Sequence, residues 1–198
     1  MTTVAVADHV HAPSREFTAQ PLGKIGVWWF LASEIMVFGG LIGSYILCRM
    51  AAGGWAAERA HVNTRIAIIN TLVLVTSSLT VVKAHAAAEA GERGRTRRFM
   101  LFTVLLGCMF LCIKGYEYSV EIEHGLVPAT SLFWSFYYTM TGLHGLHVVV
   151  GIIVNFALFV AVGGKGWDRI RHRIEYAGLY WHFVDVVWIF LFPLVYLA

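Results

Sequence analysis

Five ionisable side chains sit in stretches that are otherwise apolar. Glu34 is the one charged residue between Ile25 and Cys48, and Asp185 the one between Tyr176 and Ala198. His182 precedes Asp185 by three positions, so the two share a helical face. His144 and His147 lie within Gly125–Gly164, a stretch without one Asp, Glu, Lys or Arg. Three kinds of chemistry suit such a set. The groups can form a buried network that fixes helix packing. They can exchange protons or hold a lipid headgroup, and a carboxyl in low dielectric favours its neutral form, so Glu34 need not be a charge. Two facing histidines can also ligate a haem, as in membrane b-type cytochromes.

The elements that position these residues follow from composition. Of 198 residues, 58% are hydrophobic and 14% charged, with mean hydropathy +0.67. A soluble domain carries about 25% charged residues, and a chain this short cannot hide so much apolar surface in one water-soluble core. A soluble enzyme, a disordered segment and a secreted disulfide scaffold are excluded, which leaves an integral membrane protein. A helix needs about 20 mostly apolar residues to cross the hydrocarbon layer. Stretches at about 25–48, 66–85, 99–118, 132–162 and 176–198 qualify. They are apolar all round, whereas barrel strands alternate. The fold class is all-α, a bundle of five transmembrane helices over 25–198. Residues 1–24 form a polar tail with Pro13 and Pro21 and no signal-peptide core. Eleven of the 15 Lys and Arg residues fall in that tail, the 83–98 loop and the 165–175 loop. The excess predicts a cytoplasmic N-terminus and an outer C-terminus, with anionic lipid headgroups beside the basic loops.

Depth then groups the polar residues. At a rise of about 1.5 Å per residue, Glu34 lies roughly 14 Å and Asp185 roughly 12 Å from the cytoplasmic ends of their spans. His144, His147 and His182 fall in the same band. Each such group costs roughly 2.5–3.5 kcal/mol at mid-bilayer on insertion scales and usually faces the bundle interior or a pathway. Glu34, His147, His182 and Asp185 are therefore expected to form one buried network, with His144 beside it. Thr76, Ser77 and Ser78 lie near mid-depth of the second span, and His85 near its cytoplasmic end. Glu117, followed by Glu121 and Glu123, reads as an acidic outer turn, either a solvated loop edge or a contact for a basic partner. Gly39 and Gly43, with Gly40 and Ser44, and Gly142, Gly145 and Gly151 allow close helix approach, inside the bundle or against a partner. Most tryptophans, Trp181 among them, are placed near span ends as interface aromatics. Cys48, Cys108 and Cys112 read as buried thiols. No nucleophile–base–acid arrangement and no closely spaced Cys or His metal motif is visible, so any chemistry would lie in another chain.

Four segments together carry a resemblance. They are Ser33-Glu34; Asn70-Thr71 with Ser77-Ser78 and His85; Gly115-Tyr116-Glu117 with Thr141-Gly142-Leu143-His144-Gly145-Leu146-His147; and Tyr180-Trp181-His182-Phe183-Val184-Asp185-Val186-Val187-Trp188. In this order the chain resembles subunit III of haem-copper terminal oxidases, in the five-helix bacterial form, over about 25–198. The resemblance implies a multi-pass subunit of the bacterial inner membrane that packs beside catalytic subunit I. It implies no cofactor in this chain, with haem and copper in partner subunits. It also implies bound phospholipid and a role in proton uptake and durable turnover. Glu34 matches the family's intramembrane carboxyl that reacts with a carbodiimide. His147, His182, Asp185 and Glu117 match other motif positions, for which network or lipid-contact roles are expected; His85 and Trp181 are further contact candidates. The ending Phe192-Pro193-Leu194-Val195-Tyr196-Leu197 is similar to subunit III-like proteins of nitric oxide reductases. That leaves a quinol oxidase or nitric oxide reductase as alternative partner. A stand-alone haem b cytochrome that oxidises quinol and a lone proton channel are the alternatives from other classes.

Overall fold

The computed structural model describes residues 22–164 and 167–197. The tail expected over residues 1–24 lies almost wholly outside them, as does Lys165. The described residues form helices α1 (Leu22–Ala51), a single turn α2 (Ala56–Arg59), α3 (Thr64–Glu89), α4 (Arg93–Glu123), α5 (Leu132–Gly163) and α6 (Trp167–Phe192), and a terminal π turn over Pro193–Leu197. Five helical segments are long and apolar enough to cross a membrane: Gly23–Ala51, Thr64–Glu89, Arg93–Glu123, Leu132–Gly163 and Arg173–Leu197. Each runs past the apolar stretch that marks it, most of all at α4, whose polar ends are helical too.

Local chemistry sets the boundaries. Asn63 caps α3, its side chain accepting from the Ile66 amide at 3.3 Å. At the far ends of α3 and α4 the chain enters the left-handed region at Gly91 (φ 74°) and Gly125 (φ 75°). Glu92 then donates its amide to Ala87, and Leu126 to Glu121. Both are Schellman closures, where a side chain at the glycine position would be strained. The first makes α3 and α4 a tight antiparallel hairpin. The α5 end is capped by a side chain instead. Arg93 donates to the carbonyls of Val162 and Gly164, each at 2.5 Å, and Arg97 stacks over Phe159.

Pro193 ends the regular part of α6. It lacks an amide hydrogen and clashes with the preceding turn, and the chain widens into the π turn. The loosened carbonyls find partners from other elements: Tyr45 Oη donates to Leu194, Arg59 to Leu197 and Thr64 to Tyr196.

Helices α3 to α6 form the packed body, with α1 laid along α5 and α6. The pivot is Trp181, fully buried on α6. A Cβ added to Gly107 of α4 would lie 2.8 Å from its ring, and one on Gly151 of α5 2.7 Å. Both glycines therefore make room for one indole. Its Nε1 donates to Ser77 of α3, and Trp188 Nε1 donates to Thr71 one level away. This corrects the placement of Trp181 as an interface or contact aromatic. Gly39, Gly40, Gly43 and Gly145 meet nothing within 4 Å, so they do not pack inside the bundle. Cys108 and Cys112 are free and face outward from α4 instead of being buried. The outward surface is a belt of large apolar residues, including Trp29, Met36, Leu47, Leu105, Leu146 and Phe190, as a lipid-facing bundle requires.

Candidate functional site

Among the described residues, three clusters of ionisable side chains lie at different places between the helices. The first joins α1 to α5. Glu34 lies 3.1 Å from His147 Nε2, both largely buried. The other ring nitrogen of His147 faces the Leu143 carbonyl at 2.8 Å. A nitrogen facing a carbonyl carries the hydrogen, so in the neutral ring Nδ1 donates and Nε2 accepts. The Glu34 contact is a hydrogen bond when one proton lies between the two groups. Tyr180 of α6 donates to the His147 backbone carbonyl at 3.0 Å, and Phe38 meets the imidazole edge-on. Sequence spacing alone could not pair α1 with α5, but it did select both partners.

The second cluster joins α3 to α6. Ser78 Oγ and His182 Nδ1 are 2.7 Å apart. Asp185 is buried 4.0 Å from the same nitrogen, outside hydrogen-bonding distance. No hydrogen bond among the described residues links this pair to Glu34 and His147, so the single network expected from depth is two separate sites. His144 belongs to neither. Its ring is fully buried against Phe110 and Trp188, at centroid distances of 5.6 and 4.9 Å. His85 is half-exposed near the basic-loop end, 3.5 Å from Glu89.

The third cluster contains Glu117, for which the resemblance implied a network or lipid-contact role, together with Glu121 and with Lys114, which the sequence analysis did not single out. Lys114, Glu117 and Glu121 share one face of α4 at spacings of three and four. They are only 4%, 3% and 4% exposed. Glu117 and Glu121 are therefore neither a solvated loop edge nor a contact surface. Helix α4 continues to Glu123 and carries both carboxylates back into the bundle. Lys114 Nζ donates to Tyr137 Oη at 3.0 Å and to Tyr196 Oη, and lies 3.3 Å from Glu117 Oε1. Tyr196 Oη donates to Glu117 Oε1 at 2.6 Å. Tyr137 Oη lies 2.8 Å from Glu117 Oε1 and 2.9 Å from Glu121 Oε1. The ammonium also faces the rings of Tyr118, Tyr137, Trp188 and Tyr196. The regular 114–117–121 spacing was the signal in the sequence.

An apolar trough of about 740 Å³ runs between α1, α5 and α6, lined by Val27, Phe30, Val150, Val154 and Tyr180, with Arg173 at its basic-loop end. Beside that end Lys24 and Glu175 form an ion pair at 2.9 Å.

Comparison with known proteins gives the family. The family described as cytochrome c oxidase subunit III matches residues 9–198. A probable cytochrome c oxidase subunit 3 of Nocardia farcinica is 34% identical over 194 residues, covering 97% of this chain and 94% of the relative. The cytochrome c oxidase subunit 3 of Thermostichus vulcanus is 35% identical over 198 residues, covering 99% and 94%. That of Bacillus sp. PS3 is 34% identical over 188 residues, covering 94% and 91%. Five spans, a match along almost the whole chain and identity near one third at full coverage make this chain a member of the cytochrome c oxidase subunit III family.

Proposed function

We propose that this chain serves its oxidase by stabilising catalytic subunit I and by holding a proton-accepting group at membrane depth, the Glu34–His147 pair. The observation that carries the reading is the pair itself. A carboxyl and an imidazole 3.1 Å apart join two helices in an otherwise apolar setting. Two groups of this kind can hold one proton between them and pass it with little reorganisation. The basic loops face the cytoplasm in this reading, the C-terminus lies outside, and the membrane is the bacterial inner membrane. Haem and copper are held by partner subunits. The wholly apolar trough between α1, α5 and α6 suits phospholipid acyl chains, and in this reading the Arg173 charge at its basic-loop end attracts the headgroup phosphate.

The test is proton uptake by the purified oxidase complex. Glu34→Ala is expected to slow proton uptake and to shorten the enzyme's working life in turnover, with haem content unchanged. Unaltered uptake and durability in a fully assembled Glu34→Ala complex would overturn the role given to the pair.

A further inference from the structure

The cluster on α4 is short of hydrogens. Lys114 has three to give. Two go to the phenol oxygens of Tyr137 and Tyr196, and one to Glu117. Tyr196 spends its single hydrogen on Glu117, and Tyr137 has one hydrogen for two carboxylate oxygens within 2.9 Å. Glu117 Oε2 and Glu121 Oε2 remain buried with no hydrogen-bond partner among the described residues. With every group in its usual state the cluster also carries a net charge of minus one in an almost wholly buried site. Both deficits have the same remedy, one additional proton on a carboxylate. It supplies a donor and makes the cluster neutral, and burying an uncompensated charge is far costlier than burying a neutral acid.

We propose that Glu117 and Glu121 share one exchangeable proton beside the Lys114 ammonium, which makes this cluster a proton-holding site separate from Glu34. Glu121 is its favoured seat, because Glu117 already accepts from Lys114 and Tyr196. The groups facing the site are Lys114 and Tyr118 on α4, Tyr137, Tyr138 and His144 on α5, and Tyr196 in the π turn, with Arg59 bound to the neighbouring Leu197 carbonyl. Glu121 stands two residues before the end of α4, beneath the loop that begins at Gly125. Exchange therefore runs to the aqueous phase at that end of the bundle, opposite the basic loops.

Infrared difference spectroscopy of the purified oxidase complex tests this. Spectra of the parent minus Glu121→Gln, and of the parent minus Glu117→Gln, should each show one protonated-carboxyl stretch. It should be the same single band in both, because removing either charge makes the cluster neutral without an extra proton. The band should shift on transfer to deuterium oxide. Glutamine has the shape of a protonated glutamate, so both variants should assemble. Lys114→Met should add a second carboxyl band, because neutrality then needs two protons; if that variant fails to assemble, the two glutamine variants decide. Loss of the band in only one of them, no carboxyl band in either difference, or a band that does not shift in deuterium oxide would overturn the proposal.

Discussion

At the residue scale, the membrane interior determines which polar side chains can be replaced. Glu34→Gln keeps size and hydrogen-bonding capacity toward His147, so the complex should assemble and melt within about 1 kcal/mol of the parent. Complete failure to assemble would mean that Glu34 is a charge paired in the fold. Tyr137→Phe is a harsher change. It removes the phenol that touches Lys114, Glu117 and Glu121 and leaves buried groups unsatisfied, for which about 1–3 kcal/mol of stability should be lost in thermal unfolding of the complex. The sequence revealed Glu34, His147, His182 and Asp185 because a lone polar residue stands out in an apolar run. It named Glu117 and Glu121 but hid their burial and their partner Lys114, because they stand at the polar end of their span and look like a loop edge until α4 is seen to continue.

At the scale of elements, one indole decides how three helices meet. Trp181 occupies the space that side chains at Gly107 and Gly151 would need. Gly151→Ala pushes a methyl into that ring and should cost about 1–3 kcal/mol as an overpacked site. Gly39→Ala meets nothing in this chain and should stay within about 1 kcal/mol of the parent in the detergent-purified chain, with the sign set by helix propensity. Thermal melts of the two variants separate these expectations. Span positions could be read from hydropathy because the length of an apolar run reports membrane thickness. Which glycine packs and which faces outward could not, since small residues mark close approach without saying what approaches. The π turn was likewise hidden, although Pro193 announced a break.

At the scale of the molecule, the fold is a body of four closely packed helices with α1 attached along one side. As a non-catalytic subunit of a haem-copper cytochrome c oxidase, the chain presents a broad apolar outer surface, and most of the ionisable side chains it buries sit in clusters between helices. The family was legible in the sequence because four motifs fell in register across five spans. The division of the mid-depth residues into an α1–α5 pair and an α3–α6 pair was not, because depth along a helix does not give direction around it. The most direct measurement of the central claim is a mild-detergent pull-down of the tagged chain, with mass spectrometry and a reduced-minus-oxidised spectrum of the eluate. A haem-copper subunit I should elute with it, and all haem should be lost once the two are separated. A separated chain that keeps its own haem would contradict an accessory role, and so would a chain that elutes alone from intact membranes.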